Sequence, residues 1–345
     1  MPSMSQLRTV EWVNGRVRMI DQTKIPYRFA YISFRNYKQV AKAISDMVVR
    51  GAPAIGVAAA MGLGLAANSS RAATKEQLIR ELEAAAEVLR RSRPTARNLF
   101  WAVDRILSKA RAAGDDPGEI AALVVKEAKQ MAEEDIEANR RIGEYGASLL
   151  DDGDCVLTHC NAGTLATVSY GTALAPIRTA VSQGKKIRVI ATETRPRLQG
   201  ARLTTYELLR DKIPVTLIVD GAVGYTLMKG LVNKVIVGAD RITMRFVANK
   251  VGTYLVALAA QANQIPFYVA APSSTFDLRP EQSEIRIEER SPQEITHIGG
   301  RRIAPKGVDV FNPAFDLTPV DLVRGFITER GVVAADMLRP DFFAD

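Results

Sequence analysis

After Asp151 the sequence sets short, β-rich apolar runs between helical segments, and no other feature limits the fold as much. The runs are Cys155–His159, Ile187–Thr192, Val215–Val219, Val235–Val237 and Phe267–Ala270. Most are continuously apolar rather than alternating, as strands buried on both faces are. Such strands joined by helices predict a parallel sheet with helices on both sides. The expected class is α/β: a smaller N-terminal domain of short strands and helices, then a Rossmann-like domain with a mainly parallel sheet.

The first part of the chain reads differently. Residues 8–36 predict short strands, with a hairpin at Asn14-Gly15. Helical patterns cover about 38–48, 52–67, 75–91 and 96–112. Gly114-Asp115-Asp116-Pro117-Gly118 is the clearest break, because Asp, Pro and Gly favour turns. The expected domains are 1–117 and 118–345, with 118–150 as a connecting helix. Arg339 to Asp345 reads as a tail.

In an open parallel sheet, ligands bind beyond the carboxyl ends of the strands. Here those ends carry small and polar residues: Thr158 to Thr164, Thr192 to Pro196, Asp220-Gly221, Gly238 to Arg241, and Pro272 to Ser274. One such tip is explained by helix capping. Five together, one with a cysteine, point to a site.

Composition narrows the chemistry. The chain has 345 residues, two histidines and two cysteines. That excludes a disulfide scaffold and a Cys/His zinc cluster, and no Cys-x-x-Cys or His-Glu-x-x-His is present. The formal net charge of +8 suits an anionic partner. No basic run with interleaved aromatics points to nucleic acid. The apolar stretch Gly51–Ala67 is rich in Ala and Gly and falls short of a roughly 20-residue span, so it predicts a buried helix. With no apolar leader and two unpaired thiols, the expected location is the cytoplasm, with no membrane partner.

Several segments, taken in order, resemble the methylthioribose-1-phosphate isomerase family. They are Asp46 to Gly56, Arg93-Pro94-Thr95, Asn98 to Ala102, Thr158 to Thr164, Glu193 to Pro196 with Gln199 to Thr204, Val237 to Ile242, Asn249 to Tyr254 and Ala271 to Thr275. The same fold occurs in regulatory subunits of the exchange factor for translation initiation factor two, and in ribose-1,5-bisphosphate isomerase. Fold alone therefore does not decide function. The resemblance implies a homodimer that needs no cofactor and acts on a small sugar phosphate. Its reaction turns an aldose 1-phosphate into a ketose 1-phosphate in methionine salvage. One segment departs: Thr243 to Ala248 lacks the family's usual Asn-Gly-Asp and looks one residue shorter. Related substrates, 5-deoxyribose 1-phosphate or ribose 1,5-bisphosphate, are the alternative. A noncatalytic regulatory subunit would not need Cys160 and Asp240.

The resemblance also assigns roles. Cys160 takes the proton at C2 of the sugar, where amides at a helix start would favour its thiolate. Asp240, ending an apolar run, donates to the ring oxygen. Arg50, Gly51 and Ala52 open a helix with Pro53 in its first turn, which suits an anion. Arg93 is a second phosphate ligand; Asn249 and Lys250, opening the helix at Val251-Gly252-Thr253, are a third. Gln199 binds sugar hydroxyls. Cys155 reads as a small buried hydrophobe. His159 reads as structural, since strand neighbours point to opposite faces.

Overall fold

The computed structural model describes residues 3–94, 96–278, 285, 287–340 and 342. Thr95 of the Arg93-Pro94-Thr95 motif, and 341 and 343–345 of the expected tail, lie outside them. The chain divides into two compact units: Met1–Arg140 with Ala162–Leu174, and Arg141–Asn161 with Ala175–Asp345.

The first unit begins with an antiparallel sheet of β1 (Val10–Val13), β2 (Arg16–Ile20) and β3 (Tyr31–Phe34). Val13 pairs with Arg16 across the expected Asn14-Gly15 turn. Four helices follow as the periodicity predicts: α1 (Tyr37–Ser45), α2 (Ala52–Ser69), α3 (Lys75–Ser92) and α4 (Arg97–Ala112). The side chains of Asn36 and Thr74 accept amide hydrogens at the starts of α1 and α3. Helix α2 is apolar all round because it is the core helix, buried along nearly its whole length and packed on α1, α3 and α4.

Helix α5 (Pro117–Ala147) starts at the predicted break. The domain boundary expected at 117/118 is not where the units divide. The physical reason is burial: Ile120, Val124, Ala128, Met131 and Ile136 of α5 complete the first core. The segment 162–174 also joins this unit. Thr9 donates to the carbonyls of Val168 and Thr164, and Gln22 donates to Leu165 O.

The second unit holds a seven-stranded sheet in the order β15-β14-β10-β7-β4-β5-β6. Its strands are β4 (Cys155–Thr158), β5 (Arg188–Thr192), β6 (Val215–Ile218), β7 (Lys234–Val237), β10 (Phe267–Ala270), β14 (Gly325–Thr328) and β15 (Gly331–Ala334). All neighbours are parallel except β14 and β15. Helices α6 (Leu174–Ser182), α7 (Thr205–Arg210), α8 (Val223–Met228) and α9 (Thr253–Ala262) accompany it. The expected burial fails at β6: it is the edge strand, and Leu217 is 48% exposed. An antiparallel sheet of β8 (Arg241–Ile242), β9 (Phe246–Lys250) and β13 (Phe315–Pro319) and a hairpin of β11 (His297–Ile298) and β12 (Arg301–Arg302) were not legible in the sequence.

This strand order fixes where a ligand belongs. The chain leaves β4 for β5 and β6 on one side, then returns to β7 on the other. The switch point thus lies between β4 and β7, and the crevice beyond their carboxyl ends is the favoured ligand position.

Candidate functional site

Cys160 and Asp240 follow the two strands that flank the switch point. Leu157 pairs with Val235, so the residues stand three and five positions beyond one paired rung. Neighbouring strands lie about 4.8 Å apart. The sheet therefore brings these two predicted residues to one edge of the second unit.

The backbone of Cys160 is left-handed, φ 66°, which costs a non-glycine residue about 1–3 kcal/mol. Two threonines hold it there. Its amide donates to Thr194 Oγ1 at 2.9 Å, and its carbonyl accepts from Thr204 Oγ1 at 2.6 Å. The residue is 9% exposed. The expected α-helix start after Cys160 is absent: a three-residue 3-10 turn, Thr164–Ala166, stands there, too short for a full helix dipole. The second thiol, Cys155, sits at the start of β4, and burial raises its pKa above the ordinary thiol value.

Next to Cys160, Asn161 donates to Glu207 Oε1 at 2.8 Å and to Thr204 Oγ1 at 3.2 Å. Glu207 is fully buried and accepts from Arg178 Nη2 at 2.8 Å. Arg178 Nε also donates to Asp211 at 2.8 Å. A buried cation thus balances two carboxylates directly behind the β4 tip.

The β5 tip repeats the strain. Thr194 and Leu198 are left-handed, φ 64° and 59°. The carboxylate of Asp220 accepts the amides of Thr194 and Arg195 at 2.8 and 2.7 Å. A short π-helix, Gly200–Thr204, then leads into α7. Gly200 is required, since a Cβ there would lie 1.8 Å from Thr192 O. Left-handed non-glycine residues and π-helical turns both concentrate at functional sites. Gln199 begins this turn, 6% exposed, and its Oε1 is buried without a hydrogen-bond partner among the described residues. Such an acceptor is costly unless a donor arrives.

At the β7 tip the amide of Asp240 bonds to Ala248 O at 2.9 Å. Arg241 pairs with Asp277 at 2.7 Å. The altered 243–248 segment is a closed hairpin, in which Thr243 Oγ1 accepts from Phe246 N at 3.0 Å. Asn249 and Lys250 end strand β9 rather than opening a helix. Asn249 donates to Thr253 Oγ1 at 3.1 Å. Lys250 Nζ donates to Ala314 O at 2.5 Å, 4.3 Å from the Phe315 ring centroid.

The helix start at Gly252-Thr253 is already occupied. Asp316 accepts the amides of Gly252 at 2.6 Å and Tyr254 at 3.2 Å. Burial pushes its pKa up to about 6, against those two hydrogen bonds. The anion expected on these amides is therefore the protein's own carboxylate.

Arg50, Gly51, Ala52 and Arg93 belong to the first unit. Gly51 is the N-cap of α2, with φ 89° and no side-chain cap, and Pro53 stands in the first turn. A Cβ on Gly51 would lie 2.3 Å from Ala166 O, so only glycine fits. Arg93 follows the last turn of α3 as its C-cap, with φ −151° and ψ 83°.

Sequence reasoning set Asp220 at a strand tip and Thr204 in a motif without giving either a role, and it passed over Glu207 and Arg178. Those two gave no signal, because each is an ordinary residue of a helical segment until the chain folds.

A model of the Initiation factor 2 subunit family matches residues 48–335. The chain belongs to that family. It is 55% identical over 327 residues to a methylthioribose-1-phosphate isomerase of Thermosipho africanus, covering 94% of each chain. It is 51% identical to the enzyme of that name from Acetivibrio thermocellus, covering 95% and 96%. The structure resembles the 5-methylthioribose 1-phosphate isomerase of Pyrococcus horikoshii OT3, with TM-score 0.89, 47% identity and coverage of 96% and 93%. It also resembles an A. fulgidus chain described as translation initiation factor eIF-2B, subunit delta, with TM-score 0.86, 51% identity and coverage of 95% and 96%.

Proposed function

We propose that this chain is an aldose–ketose isomerase that converts 5-methylthioribose 1-phosphate to 5-methylthioribulose 1-phosphate, the step of methionine salvage. The observation that carries the reading is the thiol and carboxylate following the two strands at the switch point. Relatives at 51–55% identity bear the name of this enzyme.

Phosphate on the anomeric carbon blocks a free aldehyde, so the ring must open at its oxygen. Asp240 gives a proton to that oxygen as the C1–O bond breaks. Cys160 takes the proton from C2, leaving an enol phosphate. Loss of the C2 hydroxyl proton and return of a proton to C1 give the ketose. Atoms and electrons balance within one molecule, so no external oxidant is required. A direct hydride shift from C2 to a cation-like C1 reaches the same product and also needs the acid at the ring oxygen. Either route is served by few competing waters.

Gln199 accepts a sugar hydroxyl on its otherwise unmatched Oε1. Asn249 and Lys250 are assigned to the phosphate, Lys250 once it leaves Ala314 O. Arg50, Gly51, Ala52 and Arg93 are assigned to phosphate from the resemblance. The same resemblance supports a cytoplasmic homodimer, which light scattering of the purified protein tests.

The hairpin at 243–248 favours a comparison of substrates. Purified protein is assayed on 5-methylthioribose 1-phosphate, 5-deoxyribose 1-phosphate and ribose 1,5-bisphosphate. The highest kcat/KM is expected on the first. A higher value on either of the others moves the assignment to that substrate, and turnover of none ends the isomerase reading in favour of a noncatalytic subunit.

A further inference from the structure

His159 adjoins Cys160 at the β4 tip and has no place in this chemistry, yet its surroundings are closely defined. The imidazole is 1% exposed. Nε2 lies 2.9 Å from Val251 O and Nδ1 lies 2.7 Å from Thr192 Oγ1. A carbonyl only accepts, so Nε2 carries a hydrogen. Burial lowers the imidazole's pKa and favours the neutral ring, which leaves Nδ1 as an acceptor.

The rest of the chain of bonds then has a fixed sense. Thr192 spends its only hydroxyl hydrogen on Nδ1. Its oxygen, 3.2 Å from Thr194 Oγ1, is then left to accept from Thr194, whose hydroxyl also has the Thr192 carbonyl within reach at 3.4 Å. Thr194 in turn accepts the amide of Cys160 at 2.9 Å. A line of hydrogen bonds thus runs from Val251 O through the imidazole and two hydroxyls to the backbone of the thiol residue, braced at Thr194 by the shared Thr192 carbonyl. Its far end is anchored as firmly. Gly252 has φ 103°, and a Cβ on it would lie 2.9 Å from His159 Cε1, so the ring and that turn exclude any other residue. The same turn is held by Asp316.

We propose that His159 is a positioning residue for Cys160, locking the strained backbone of the thiol residue through Thr192 and Thr194. This rests on the assignment of Cys160 as the reacting thiol. The imidazole touches no substrate in this account. It sets the direction of two hydroxyls, and through them the thiol's placement.

The test uses His159→Phe, which keeps the ring and loses both bonds, His159→Asn, which keeps an acceptor near Nδ1, and Thr192→Val. Two readouts are taken: kcat and KM, and the rate of Cys160 alkylation by iodoacetamide followed by mass spectrometry. A thiol displaced by about 1 Å is expected to cost about 100-fold in kcat, with KM within about threefold. His159→Asn regains about tenfold of that loss. Alkylation of Cys160 speeds up in His159→Phe and in Thr192→Val as the anchored side chain is released. The double variant His159→Phe/Thr192→Val loses no more than the worse single variant, since both cut one line. A double loss equal to the product of the single losses overturns the inference, as does a folded His159→Phe with wild-type kcat and alkylation. Should His159→Phe fail to fold, Thr192→Val alone decides: slower turnover with faster alkylation supports the line, and wild-type values for both overturn it. A wild-type protein that turns over no sugar phosphate defeats the isomerase assignment instead, and the alkylation rates still judge His159.

Discussion

The amide of Cys160 donates to the hydroxyl of Thr194 at 2.9 Å, and both residues hold left-handed backbones, φ 66° and 64°. Each strained residue steadies the other. Thr194→Val keeps the shape and removes the hydroxyl. It leaves a buried amide unmatched, so a loss of about 1–3 kcal/mol is expected in denaturant unfolding. Wild-type stability would show that the bond contributes nothing.

The close approach at Gly200 gives a second expectation. A Cβ there would overlap Thr192 O at 1.8 Å and lie 2.9 Å from Thr194 Oγ1, and the first of these is backbone with little room to yield. Gly200→Ala is expected to lower stability by more than about 3 kcal/mol, at the severe end for single substitutions. A melting temperature within a degree or two of wild type would refute the packing described for this turn.

Behind the site, Arg178 balances Glu207 and Asp211 with little access to water. Removing one partner of a buried pair costs about 3–5 kcal/mol, because charge is left uncompensated. Arg178→Met is expected to fall in that range by chemical denaturation. Adding Glu207→Gln to it should recover part of the loss, and a further additive loss would contradict the coupling.

Asp135 of α5 supplies a pH dependence. It accepts the amide of Val168 at 2.7 Å and the amide side chain of Asn139 at 3.0 Å. Burial raises its pKa to about 7, and those hydrogen bonds oppose the shift. A raised folded-state pKa means its contribution is full below the unfolded value near 3.9 and is lost as pH rises through 7. The melting temperature of Asp135→Asn, relative to wild type, should therefore climb between pH 5 and 7 and level off by pH 8. A difference that stays constant with pH would show that the carboxyl does not titrate there.

Much of this architecture was legible in the sequence. The apolar runs marked β4, β5, β7 and β10, and helical periodicity marked α1 to α5, because full burial and amphipathic spacing leave plain patterns. The edge position of β6 was not legible: Val215 to Ile218 is as apolar as a central strand, and only strand order exposes it. Strand β9 was missed because Asn249 and Lys250 break its apolar pattern. The capture of the α9 amides by Asp316 could not be read, since 64 residues separate Gly252 from its acceptor. Cys160, Gln199 and Asp240 were singled out in the sequence because they follow strand ends in short, specific motifs. The residues that hold them, Thr204, Glu207 and Arg178, meet only in the folded sheet.

The most direct measurement compares initial rates on 5-methylthioribose 1-phosphate for wild type, Cys160→Ser and Cys155→Ser. The account expects turnover by wild type and by Cys155→Ser at similar rates. It expects a loss of about 10²–10⁴-fold in Cys160→Ser, the range for removing a positioned proton acceptor. A Cys160→Ser protein that keeps the wild-type rate would contradict the central claim.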